Sequence, residues 1–261
     1  MSFLTIDGTR IYYEIHGNRD NLETLVLLNH GFGSTKMWRD IYPCLVEKGY
    51  RVVTYDRRGY GRSEKTDFEE FYISDRFRSE NVRTLAGLVA RLNIGKFSII
   101  AQCEGGVIGV DYAVKYPHQV KTMVVSSTQC YSNLPMNKFN KMKFPKPYSD
   151  LNPKFREDII YWQGKTYAET YYNLFSKYGG GGAYGRGLFD LRGQLSLVTC
   201  PTLVLYPDRS PIFDVEQGVE FYRNLSEGEL AVIPDCGHNT YEDKPEEYLM
   251  FVLDFLMRHT C

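Results

Sequence analysis

The sequence predicts an α/β protein whose sheet is mostly parallel and carries helices on both faces. Two observations lead there. Six short apolar runs lack the alternation of a half-exposed strand, and segments of helical periodicity lie between them. A strand buried on both faces needs apolar side chains on both, and an intervening helix lets successive strands run parallel. A third observation is Asp7-Gly8 between residues 3–6 and 10–15. That dipeptide is a hairpin signal, so the sheet is expected to begin with an antiparallel edge.

The apolar runs are 25–28, 51–55, 97–101, 122–125, 202–206 and 230–233. Residues 35–48 put Met37, Ile41, Leu45 and Val46 on one helical face, and residues 75–92 do the same with Val82, Leu85, Ala86, Val89 and Leu92. Residues 105–116 and 246–257 also read as helices. The rhythm stops between about 130 and 197. That stretch has no β run, is rich in Tyr, Phe, Asn, Lys and Pro, and contains Gly179-Gly180-Gly181-Gly182, which cannot be regular helix or strand. Its aromatic content over 155–175 favours a helical insertion over a disordered linker. The expected organisation is a core of residues 1–129 and 198–261 with a helical insertion of residues 130–197.

With 261 residues and 43% hydrophobic content, the chain can build one sizeable core. A net charge of −1 gives no electrostatic case for nucleic acid or an anionic membrane as partner. Six cysteines without C-x-x-C spacing read as free thiols in a reducing compartment. No signal peptide or membrane-length apolar run is visible, so a cytoplasmic location is expected. Gly31-Phe32-Gly33-Ser34 lacks the third glycine of a dinucleotide loop, and no P-loop or metal-ligand spacing is present. The expectation is no cofactor, no metal, and a small-molecule substrate.

The chemistry points to residues 99–106, Ile-Ile-Ala-Gln-Cys-Glu-Gly-Gly. This is strand, tight turn, helix, with small residues two before and two after Cys103. Such a turn lifts the central side chain clear of the sheet and leaves the next N–H beside it. A free Cys is more often a small buried hydrophobe, but this position favours a nucleophile. Cys44, Cys130, Cys200, Cys236 and Cys261 read as structural or incidental. His238, between the last predicted strand and the last helix, is the candidate base. His16, His118 and His259 read as surface or capping residues. His30 belongs to the loop His30-Gly31-Phe32-Gly33, whose backbone reaches the mouth of the sheet. The N–H groups of Phe32 and Glu104 are the candidate oxyanion hole.

The order of these parts resembles the α/β-hydrolase superfamily over nearly the whole chain. The resemblance rests on His30-Gly31-Phe32-Gly33, the 55–63 loop Tyr-Asp-Arg-Arg-Gly-Tyr-Gly-Arg-Ser, the turn at 101–105, Cys200-Pro201-Thr202-Leu203-Val204 and Gly237-His238. It implies a mostly parallel eight-stranded α/β-hydrolase sheet with helices on both faces, a helical cap after Val125, and a site at the C-terminal strand ends. Cys103 stands where the family usually has Ser.

The acid position departs as well. Where the family typically has Gly-x-x-Asp, this chain has Tyr206-Pro207-Asp208-Arg209-Ser210. Three readings compete: Asp208 reaches His238, Ser210 orients the imidazole through a neutral hydrogen bond, or no acid is needed. A thiolate–imidazolium pair, charged at rest, would tolerate the last two better than a Ser nucleophile would. Glu104 reads either as an acid meeting the helix dipole or as a selector of cationic or hydroxylated substrates. The insertion's aromatic residues, with Tyr131, Trp162 and Tyr171 as candidate substrate contacts, suit an aromatic or polycyclic substrate, or simply form the insertion's own core. The expected activity is hydrolysis of an ester, lactone or thioester through an acyl-Cys. Acyl transfer or cyclisation from the same intermediate, and non-catalytic ligand binding, are the alternatives.

Overall fold

β1 (Ser2–Ile6), β2 (Thr9–His16), β3 (Thr24–Leu28), β4 (Arg51–Tyr55), β5 (Phe97–Gln102), β6 (Val120–Ser126), β7 (Thr202–Pro207) and β8 (Gly228–Ile233) form one sheet in the order β1-β2-β4-β3-β5-β6-β7-β8. The computed structural model describes residues 2–18, 23–179 and 181–260, so Gly180 and Cys261 lie outside the described residues. β2 is antiparallel to both β1 and β4, and every other pairing is parallel. Asp7 (φ 48°) and Gly8 (φ 79°) both take the positive φ that a tight two-residue hairpin requires. The central strands β3, β5 and β7 are buried throughout, as their unbroken apolar runs require. β8 departs from that pattern because it is an edge strand, and Val232 is exposed.

The helices follow the periodicity with three differences. Residues 35–48 are not one helix: a 3₁₀ turn, Thr35–Trp38, precedes a short helix, Tyr42–Glu47. Pro43 lies in the first turn of the second piece, where its missing N–H costs nothing, and it cannot continue a helix begun upstream. Residues 155–175 resolve into Pro153–Gln163 and Ala168–Tyr178, separated at Gly164 (φ 87°). The Val215–Arg223 helix carried no strong apolar signal because its buried residues are Gly218 and Phe221. Gly179 ends the Ala168–Tyr178 helix in the left-handed region, the usual use of a C-terminal glycine.

Strand order places the site. From β3 the chain moves outward to β4, then returns to β5 on the other side of β3. The loops leaving β3 and β5 therefore diverge and open a crevice at their C-terminal ends. The Glu104–Lys115 helix starts hard against β3. A Cβ on Gly105 would lie 2.4 Å from the Leu28 carbonyl oxygen, and one on Gly106 would lie 2.0 Å from Thr128 Oγ1. Between β6 and β7 the helical insertion closes over this end. The ring of Phe32, on the loop after β3, packs 4.6 Å from Phe175, 5.5 Å from Phe155 and 5.7 Å from Phe144. Among the described residues, no helix is long and apolar enough to cross a membrane.

Gly105→Ala should destabilise the fold by about 1–3 kcal/mol, the usual cost of overpacking, because the added carbon meets backbone. Gly95→Ala, with nothing within 4 Å of its added carbon, should stay within about 0.5 kcal/mol of the parent. Urea melts of the two variants test this; equal midpoints would contradict the close approach at the turn.

Candidate active site

Cys103 joins β5 to the Glu104–Lys115 helix with φ 51° and ψ −115°, a strained conformation for a residue with a side chain. Its neighbours hold it there. The Cys103 N–H donates to the Ser126 carbonyl at 2.8 Å, and its own carbonyl accepts from the Gly106 N–H at 2.9 Å and from Thr128 Oγ1 at 3.2 Å. The side chain enters a cavity of about 240 Å³ that it shares with His30, Phe32, Glu104, Tyr184 and His238. The backbone N–H of Glu104, at the start of the helix, adjoins the sulfur and acts to lower the thiol's pKa, against the effect of burial.

His238 is held from behind. Its carbonyl accepts from Gln102 Nε2 and from Ser127 Oγ, each at 2.8 Å, and both donors are fully buried. Nδ1 faces Ser210 Oγ at 3.1 Å. Ser210 therefore occupies the acid position, but its chemistry is not that of an acid. A carboxylate can only accept from Nδ1, whereas a hydroxyl can donate or accept. The Ser210 oxygen already accepts from the Ile212 and Phe213 N–H groups, each at 3.2 Å. With its two lone pairs engaged, the hydroxyl hydrogen is the atom left for Nδ1, which assigns the ring hydrogen to Nε2. Asp208 does not reach His238. Its carboxylate accepts from the Cys236 N–H at 3.0 Å, and this bond and the Asp235 N–H hold it below the usual carboxylate range.

The electrostatics correct the expectation of a charged resting pair. Burial pushes the Cys103 thiol up to about 11, and burial pulls His238 down to about 4. Both groups are neutral near pH 7. Among the described residues, the side-chain partner of the thiol is the Tyr184 hydroxyl at 3.5 Å, and no hydrogen bond joins the thiol to His238.

The oxyanion loop differs from expectation in two respects. The Phe32 N–H donates to His30 Nδ1 at 3.1 Å, so this predicted donor is already engaged. His30 is buried and pulled down to about 3 by that burial, which keeps it neutral and able to accept. Its Nε2 meets the Tyr241 hydroxyl at 3.2 Å. Glu104 lies in the first turn of its helix, as an acid meeting the dipole would, and lines the cavity, but its carboxylate is already engaged. It forms a buried ion pair with Arg57 at 2.5 Å and accepts from the Tyr60 hydroxyl at 3.0 Å. Arg57 also donates to the His30 carbonyl at 3.1 Å. This network ties the turn at Cys103 to the loop after β3.

Of the three predicted substrate contacts, only Trp162 lines the cavity, packed 4.7 Å from the His30 ring. Tyr171 is buried below it, and its hydroxyl donates to the Gly31 carbonyl, which makes it a brace for the loop. Tyr131 lies away from the cavity. It pairs with Asp190 through backbone, and its N–H donates to Gln217 Oε1 at 3.0 Å. Phe144, Phe155, Phe175 and Phe213 supply the remaining aromatic wall. At the exposed end, Lys154 bridges Asp158 at 3.1 Å and Glu242 at 3.3 Å.

Residues 24–177 match the alpha/beta hydrolase fold family. Over 97% of this chain and 96% of its own length, the proline iminopeptidase of Lactobacillus helveticus is 23% identical. The 2-hydroxy-6-oxononadienedioate/2-hydroxy-6-oxononatrienedioate hydrolase of Escherichia coli is 25% identical over 95% of this chain and 91% of its own length. The crystal structure of the enol-lactonase from Burkholderia xenovorans LB400 superposes with a TM-score of 0.76 at 21% identity, covering 98% of this chain and 100% of the lactonase.

A neutral thiol with a raised pKa should react with iodoacetamide about tenfold faster for each pH unit between 7 and 9, without a plateau near neutrality. Ser210→Asp should accelerate the reaction at pH 7 by about tenfold or more, because a carboxylate moves the ring hydrogen to Nδ1 and stabilises the imidazolium. Alkylation rates followed by intact mass test both expectations. A flat profile in the parent would mean a resting thiolate.

Proposed function

Because the chain belongs to the alpha/beta hydrolase fold family, we propose that it is a hydrolase that opens an ester, lactone or thioester through a covalent acyl-Cys103 intermediate. The observation that carries this reading is the strained turn at Cys103. It presents a thiol to a cavity that also contains His238, with the Glu104 N–H beside the sulfur.

In the proposed reaction, Sγ bonds to the carbonyl carbon while the thiol proton passes to His238 Nε2. The ring hydrogen must first leave Nε2 to solvent while another arrives at Nδ1, and Ser210 must release one backbone N–H and turn its hydroxyl so that it accepts from Nδ1; Nε2 is then free to take the thiol proton. The carbonyl π electrons move to the oxygen. When the tetrahedral species collapses, the carbon–leaving-group bond breaks and His238 returns its proton to the leaving oxygen or sulfur. Water then repeats the sequence on the thioester and releases the acid.

The cavity narrows the substrate class. Its wall is largely aromatic. Among the described residues lining it, the one Lys or Arg is Lys154, already paired with two carboxylates. Nothing there is free to neutralise a carboxylate. We therefore assign an aromatic or hydrophobic substrate without a free carboxylate, unlike the dioates named for the Escherichia coli relative.

A second reading, ligand binding without turnover, is favoured by one observation: the thiol meets Tyr184 and not His238. Brief exposure to p-nitrophenyl acetate, with intact-mass detection, separates the two. The expected result is an acetyl adduct in the parent and none in Cys103→Ala, followed by release of acetate. An adduct that persists in Cys103→Ala, or no adduct with any activated ester or thioester, would sink the covalent mechanism. Transfer to an added alcohol, giving an ester and no free acid, would make the chain an acyltransferase.

A further inference from the structure

Acyl transfer through Cys103 requires two donors where the oxyanion forms, and the structure leaves one of the expected pair occupied. The Glu104 N–H adjoins the sulfur and favours its charged form. The Phe32 N–H is instead satisfied by His30 Nδ1. His30 is not free to turn away, because its other nitrogen meets Tyr241, its ring packs against Trp162, and it is buried. A second donor does stand at the sulfur, on the helical insertion. Tyr184 lines the cavity with its hydroxyl 3.5 Å from Sγ. Its ring is fixed edge-on to Phe189 at 5.0 Å and to Phe213 at 6.3 Å.

We propose that the Tyr184 hydroxyl, together with the Glu104 N–H, stabilises the oxyanion, which makes Tyr184 a catalytic residue supplied by the helical insertion. The inference rests on the acyl-Cys103 reading above. A carbonyl carbon bonded to Sγ carries its oxygen one bond further, within reach of a donor that already touches the sulfur. The phenol gives a hydrogen bond and keeps its proton. Burial holds Tyr184 well above its ordinary value, so it remains a neutral donor at working pH. Covalency therefore balances as before: His238 carries the thiol proton and Tyr184 carries none.

Two reactions of Cys103 separate this role from a purely structural one. Acylation by p-nitrophenyl acetate passes through an oxyanion, whereas alkylation by iodoacetamide does not. In Tyr184→Phe the acylation rate should fall about 10²-fold more than the alkylation rate measured at the same pH, the usual cost of one oxyanion donor. Equal losses in both reactions would make Tyr184 a partner of the thiol alone and overturn the proposal, as would no loss in either. Replacing Tyr184 by 3,5-difluorotyrosine keeps the ring in place and makes the phenol a stronger donor. Acylation should then rise relative to alkylation, and a fall would overturn the proposal. A parent protein that is alkylated but never acylated would defeat the acyl-Cys103 reading itself, an outcome distinct from any change in the Tyr184 variants.

Discussion

Arg57 and Glu104 are both charged, both almost wholly buried, and tenable in that position only as a pair. Each ion alone would carry a desolvation penalty of several kcal/mol, and removing one partner from such a pair typically costs about 3–5 kcal/mol. Burial works against the charge on Arg57, but Glu104 more than offsets it. The pair adds little net stability and a great deal of geometry. Arg57 follows β4, Glu104 begins the helix after β5, and Arg57 donates to the carbonyl of His30 after β3. Three strand ends are therefore joined under the cavity floor by one guanidinium. The strained φ of Cys103 and the engaged Phe32 N–H both sit on that floor.

Above it, the groups proposed to react are tuned toward neutrality. Enclosure in an aromatic cavity raises the thiol and lowers the imidazole, so the ion pair common to activated cysteines does not form at rest. The substitution at the acid position acts in the same direction. Ser210 brings a hydroxyl already holding two backbone N–H groups, and this reverses the hydrogen-bond polarity that a carboxylate would impose on His238.

Much of this was legible in the residues. The apolar runs and the Asp7-Gly8 hairpin signal locate the strands, because burial on two faces imposes an unambiguous composition. Gly105, two residues after Cys103, helps locate the turn, because the Leu28 carbonyl approaches too closely there for a Cβ. Gln102 carried a readable signal too, as a polar residue ending an apolar strand, and its amide holds the His238 loop. What stayed hidden depends on tertiary approach. Asp208 and Ser210 are two residues apart, and only the course of the turn decides which faces the imidazole. Tyr131 and Trp162 look alike as aromatic residues of the insertion, yet one lines the cavity and the other does not. Tyr184 follows a glycine run with no periodicity to orient it. The pairing of Glu104 with Arg57 stayed hidden because the two lie 47 residues apart.

The bridge from Lys154 to Asp158 and Glu242 has a kinetic meaning. It joins the helical insertion to the short helix Thr240–Asp243 that follows His238, across the exposed end of the cavity. Lys154 is 73% exposed, and an ion pair so open to water is worth at most about 1 kcal/mol. Such a clasp parts and reforms with ordinary rotamer motion, on the order of picoseconds to nanoseconds. Opening of the bridge is therefore too fast to delay a ligand of the proposed reaction, whose stay is decided deeper in, by how much apolar surface it buries against the aromatic wall.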